Sequence, residues 1–107
     1  MAKVRIKVMK TAAHMDLIAD HVDTDAFPQD GGPCPMWTIG QEFLIEGSWA
    51  ERPEGFCDWA WSDIQRDVTM ILLGADLPWL KTPGTAIACC TDGLRPVTFK
   101  IERVEDD

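Results

Sequence analysis

From residue 3 to residue 9, hydrophobic and charged positions alternate: Val4, Ile6 and Val8 against Lys3, Arg5 and Lys7. Successive side chains of a strand point to opposite faces, so this segment predicts a half-buried strand with a cationic outer face. The alternation returns in residues 97–104, where Val97, Phe99 and Ile101 take the inward positions and Thr98, Lys100 and Glu102 the outward ones. Arg5 and Lys7 on one outer face and Glu102 on the other predict that these two strands are neighbours, burying Val4, Ile6, Val8, Val97, Phe99 and Ile101 in one core. Two shorter strands fit between them. Gly40 leads into Glu42–Glu46, with Phe43 and Ile45. Pro83-Gly84 introduces the small residues of Thr85–Cys90, and Asp92-Gly93 turns the chain back.

A different period governs residues 56–75. At 100° per residue, Cys57, Ala60, Trp61, Ile64, Val68, Ile71, Leu72 and Ala75 form one apolar stripe, which predicts a helix from Phe56 to Ala75. Asp58 suits the first turn, and Gly74 and Pro78 supply the stop. Residues 12–22 carry Met15, Leu17, Ile18 and Val22 among polar residues and predict a short helix. Phe27–Pro35 and Gly47–Gly55 read as loops. The order is β-α-β-α-β-β, an α+β fold with a mostly antiparallel sheet packed against one long helix. The 107 residues fit one domain, 1–107, whose acidic tail from Glu105 to Asp107 is expected to fray.

The formal net charge of −8 argues against nucleic acid and against an anionic membrane surface, both of which need a positive footprint. The longest uncharged run, residues 31–41, holds two prolines and three glycines and cannot span a bilayer. No apolar stretch follows the basic N-terminal residues, so no signal peptide is expected, and the cytoplasm is the expected compartment. A small chain buries a small share of its surface, which makes a homo-oligomer the expected state.

The four cysteines, Cys34, Cys57, Cys89 and Cys90, include no Cys-x-x-Cys pair, and His14 and His21 have no cysteine beside them. No zinc site and no iron–sulfur cluster is expected from that spacing. Gly-rich phosphate loops, nucleotide fingerprints and Ser-His-Asp sets are absent from the sequence, so no cofactor is expected. Cys57 is the candidate nucleophile. At a helix start, terminal amides and the helix dipole favour a thiolate, while a place on the apolar stripe favours plain packing. Trp59 falls opposite Ile64, beside Asp63, Arg66 and Met70, and needs a cover: a loop such as residues 47–55, another subunit or a ligand. Cys89 and Cys90 point to opposite faces of a strand, so one of them meets the helix, and Cys57 or Cys34 is the alternative neighbour. Arg95 either holds an anionic group with its planar fork or braces the turn through Asp92 or Asp58.

Three strings stand together in this chain: Pro33-Cys34-Pro35, Gly55-Phe56-Cys57-Asp58-Trp59-Ala60-Trp61, and Ala88-Cys89-Cys90-Thr91-Asp92-Gly93-Leu94-Arg95-Pro96-Val97. Together they resemble a family of small prokaryotic proteins of about the same length and of unknown function. The resemblance runs from the first strand to the last. It implies one cytoplasmic domain and no particular chemistry.

Two functions fit these residues. One is a small-molecule site, thiol-dependent through Cys57, with a pocket drawn from Cys34, Asp58, Trp59, Trp61, Cys90, Asp92 and Arg95; whether it is catalytic stays open. The other is a non-catalytic accessory or structural subunit whose Trp-rich surface meets copies of itself or another protein.

Overall fold

The computed structural model describes residues 2–27 and 32–105. Its strands are β1 (Ala2–Thr11), β2 (Glu42–Ile45), β3 (Thr85–Cys89) and β4 (Val97–Glu105), and its helices α1 (Met15–His21) and α2 (Asp58–Leu72). They form one four-stranded sheet in the order β2-β1-β4-β3, antiparallel at every step. The fold is therefore α+β, in the order β-α-β-α-β-β.

The pairing follows the alternation read from the sequence. Arg5 lies opposite Glu102 in the β1–β4 ladder and donates to its carboxylate at 2.9 Å. Arg5 also reaches Glu42 on the other neighbouring strand at 3.6 Å. Such partly exposed pairs are worth about 1 kcal/mol each, so they set register more than stability. The inner face carries the energy: Val4, Ile6, Val8, Phe99 and Ile101 are completely buried. Burial of each such side chain stabilises by about 1.5–3 kcal/mol. A bulge between Val8 and Lys10 leaves Met9 without a β4 partner and exposed, and it lets the ladder continue to Thr11.

The long helix lies on the inner face and buries Ala60, Ile64, Val68, Ile71 and Leu72. It is shorter than its apolar stripe suggests. Phe56 belongs instead to a turn, its amide bonded to the Pro53 carbonyl at 3.1 Å, after Gly55 at φ 81°. The helix ends by a Schellman arrangement at Gly74, φ 106°, with Gly74 N–H donating to Ile71 O at 3.2 Å and Ala75 N–H to Met70 O at 3.0 Å. Arg103 of β4 completes this end. Its guanidinium donates to Ile71 O at 2.9 Å, Ala75 O at 3.1 Å and Asp76 at 2.8 Å.

Gly84 makes room for that arginine. Its φ is +74°, and a Cβ there would stand 3.0 Å from Arg103 Nη2. Gly84→Ala is expected to cost about 1–2 kcal/mol for the left-handed backbone alone, and more through the displaced guanidinium. Urea unfolding of the variant checks this; an unchanged midpoint would mean that the loop moves freely.

The first helix is shorter than residues 12–22 and buries only Ile18. Two backbone bonds extend the sheet toward it, Ala12 N–H to Pro96 O at 3.0 Å and His14 N–H to Leu94 O at 2.8 Å. Among the described residues no helix is long and apolar enough to cross a membrane. Glu105 pairs with Ala2 at the end of the β1–β4 ladder, and residues 106–107 of the tail lie outside the described residues. So do residues 28–31 of the loop expected from Phe27 to Pro35.

Candidate functional site

An aromatic cluster forms the base of the site. Phe56 stands at its centre, meeting Trp37 at 5.0 Å, Phe43 at 4.9 Å, Phe99 at 5.5 Å and Trp61 at 5.9 Å between ring centroids. Most of these contacts are edge-to-face, the arrangement favoured by ring quadrupoles. Trp37 also packs edge-on against Phe99, so a loop residue is anchored to a central strand.

Above Trp37 lies a cavity of about 190 Å³. Three segments meet there. The 34–37 loop contributes Cys34, Met36 and Trp37; the start of α2 contributes Cys57, Trp59 and Ala60; the turn after β3 contributes Cys90, Asp92 and Arg95. The walls are thus indole, thioether, thiol and methyl, with a polar edge at Asp92 and Arg95.

Cys57 is the N-cap of α2, extended at φ −62°, ψ 129°, and its side chain makes no capping hydrogen bond. The thiol is half-buried and borders both the core cluster and the cavity. Cys34 is also half-buried. Cys90 is buried and already engaged: the Val97 amide donates to its sulfur at 3.3 Å. Cys89 points the other way and is exposed, as strand alternation requires. All four are free thiols. Among the described residues no three His, Cys, Asp or Glu side chains are placed to hold a metal ion together.

The polar edge is braced within its own turn. Asp92 Oδ1 accepts from the amides of Leu94 at 3.0 Å and Arg95 at 3.1 Å, and Oδ2 lies 3.5 Å from Arg95 Nε. Of the two carboxylates suggested as brace for Arg95, Asp92 is the one seen. Asp58 pairs with Arg52 at 3.0 Å and faces solvent away from the cavity. Arg52 also donates to Phe56 O at 2.8 Å and so ties down the turn before the helix. Trp61 packs on the aromatic cluster and does not border the cavity.

Trp59 stands at the rim and is 63% exposed. The loop of residues 47–55 does not cover it, and Trp49 within that loop is itself exposed. Its indole is nonetheless held. Trp59 Nε1 donates to Thr91 Oγ1 at 2.8 Å, that hydroxyl lies 3.0 Å from Asp63 Oδ2, and the Thr91 amide donates to the same oxygen at 2.7 Å. Asp63 stands one turn after Trp59 on α2, so the network links the helix to the end of β3.

Sequence reasoning did not find Met36, Trp37 or Ala60 as lining residues, nor the Asp63–Thr91 link. Met36 and Trp37 sit in the uncharged run of residues 31–41, whose lack of charge was the available signal. Comparison with known proteins gives no matching family model, no matching curated protein and no matching solved structure.

Proposed function

We propose that this chain is a small-molecule-binding domain whose pocket carries a reactive thiol at Cys57. The observation that supports this best is convergence: Cys34, Cys57 and Cys90, from three separate segments, border one cavity with Trp37, Trp59 and the Asp92–Arg95 pair. Apolar walls with a few placed polar groups are what ligand pockets present. Cys57 is the candidate thiol, since it is half-buried at the cavity edge and at the N-terminus of α2. Cys90 is occupied by the Val97 amide, and Cys89 faces away. A reduced thiol of this kind fits the cytoplasm.

Alkylation with iodoacetamide at pH 7, followed residue by residue by mass spectrometry, tests the reading. Cys57 is expected to react faster in the folded chain than in the urea-unfolded chain. Cys57→Ser is expected to lose that fast phase and less than about 1 kcal/mol of stability. A packed, inert Cys57 would instead cost about 1–3 kcal/mol on replacement, because a hydroxyl would be buried in its place. Slow labelling together with such a loss would sink the thiol-dependent reading.

A second reading, a non-catalytic subunit that associates through a Trp-rich surface, draws on the exposure of Trp49, Trp59 and Trp79, three of the five tryptophans. Tryptophan is enriched at interfaces between subunits. Sedimentation across protein concentrations, read alongside quenching of a variant that keeps Trp59 alone, separates the two. Protection that grows with concentration supports the homo-oligomer; full quenching of a monomer at every concentration removes it.

A further inference from the structure

We infer that the ligand class of this pocket is a small, neutral, planar molecule of one or two rings that stacks on the Trp59 indole. The inference rests on the pocket reading above and adds size, charge and shape to it.

Size follows from the volume. Apolar protein cavities of about 150 Å³ take up benzene. The cavity here is about 190 Å³, room for one ring with a small substituent or for two fused rings. The site opens to solvent, so this volume sets the part of a ligand that the pocket holds: one or two rings.

Charge follows from the polar edge. Among the described residues Asp92 and Arg95 are the charged ones of the lining, and they lie 3.5 Å apart, so their charges offset each other. A ligand of either sign gains little from that edge. An anion meets in addition the field of a chain with net charge −8. A neutral substituent that both donates and accepts hydrogen bonds suits the pair without disturbing it.

Shape follows from the tryptophans. Trp37 forms the base, held edge-on by Phe43 and Phe99. Trp59 forms the rim, and the Thr91–Asp63 network fixes its indole nitrogen. An indole that is both exposed and fixed is a preorganised stacking surface, because its rotamer is already restricted before a ligand arrives. Flat rings gain most from such a wall. Met36 adds a polarizable thioether, which also favours aromatic neighbours.

The test uses the reduced full chain and four probes: 1-indanone (flat, neutral), cyclohexanone (the same polar group without flatness), benzoate and tetramethylammonium. Binding is read from the indole N–H resonance of Trp59 and from protection of Cys57 against iodoacetamide. 1-Indanone is expected to bind with a sub-millimolar Kd, about tenfold or more below the other three. Trp59→Leu, at an exposed position whose Asp63–Thr91 backbone link remains, is expected to remove that preference. Equal affinity for cyclohexanone overturns planarity, and tighter binding of benzoate or tetramethylammonium overturns neutrality. In both cases fast Cys57 labelling leaves the pocket reading intact. If no probe shifts Trp59 up to about 5 mM, the ligand class falls, and slow Cys57 labelling in the same samples takes the pocket reading with it.

Discussion

Replacing Phe99 with alanine is expected to cost about 3–5 kcal/mol, the largest loss of any single change considered for this chain. Phe99 has no exposed surface and lies on β4, one of the two central strands. Its ring touches Trp37 and Phe56 at once, with centroids at 5.2 and 5.5 Å. Removing it leaves a void that two large anchored rings cannot close without leaving each other. Domains of this size are stable by about 5–15 kcal/mol, so the loss is a large part of the total. Denaturant unfolding of Phe99→Ala and Phe99→Leu reads it, with the leucine variant losing much less. A loss under about 1 kcal/mol for alanine would mean that the cluster repacks easily. The same variant loosens Trp37, so the cavity should lose affinity for its probes before the fold is lost.

The second large effect belongs to Arg103. Arg103→Ala is expected to cost about 2–3 kcal/mol, because two carbonyls at the end of α2 lose a charged donor. The guanidinium bridges Ile71 O, Ala75 O and Asp76 from one planar group. Lysine offers a compact ammonium without that fork, so Arg103→Lys should recover only part of the loss. Asp76 is exposed, and Asp76→Ala should cost less than about 1 kcal/mol. Should the alanine variants at 76 and 103 prove equally costly, the ion pair rather than the helix cap is what matters there.

The elements legible in the sequence are those whose burial is periodic. Alternation around Ile6 and Phe99 located both central strands, and Arg5 and Glu102 indicated that they pair, as they do at 2.9 Å. The Ala60–Leu72 stripe located the long helix. Apolar Phe56 extends the helical pattern two residues beyond the true start, yet the Pro53–Phe56 turn holds it outside. Trp37 was not legible as a core residue. It lies between prolines and glycines in a loop with no period, and only tertiary contact with Phe43, Phe56 and Phe99 decides which way it points. The Asp63–Thr91 link joins polar residues 28 positions apart, a spacing that carries no local signal. Around the cavity, Cys34, Cys57, Trp59, Cys90, Asp92 and Arg95 were each singled out for their chemistry, whereas Asp58 and Trp61 point elsewhere.

The pairing of the first strand with the last has a kinetic side. Arg5 and Glu102 meet across 97 residues of chain. Such a contact must wait until residue 102 has been made, and closing so long a loop is slow compared with forming a helix. On the ribosome, β1 can pair early only with β2, and the helix emerges before the arginine that caps it. Until β4 arrives, one edge of β1 stays unpaired and α2 lacks its packing on Phe99 and Ile101. Nascent chains arrested before Val97 should therefore be open to protease and held by chaperones, and those extended past Glu105 should become resistant in a single step.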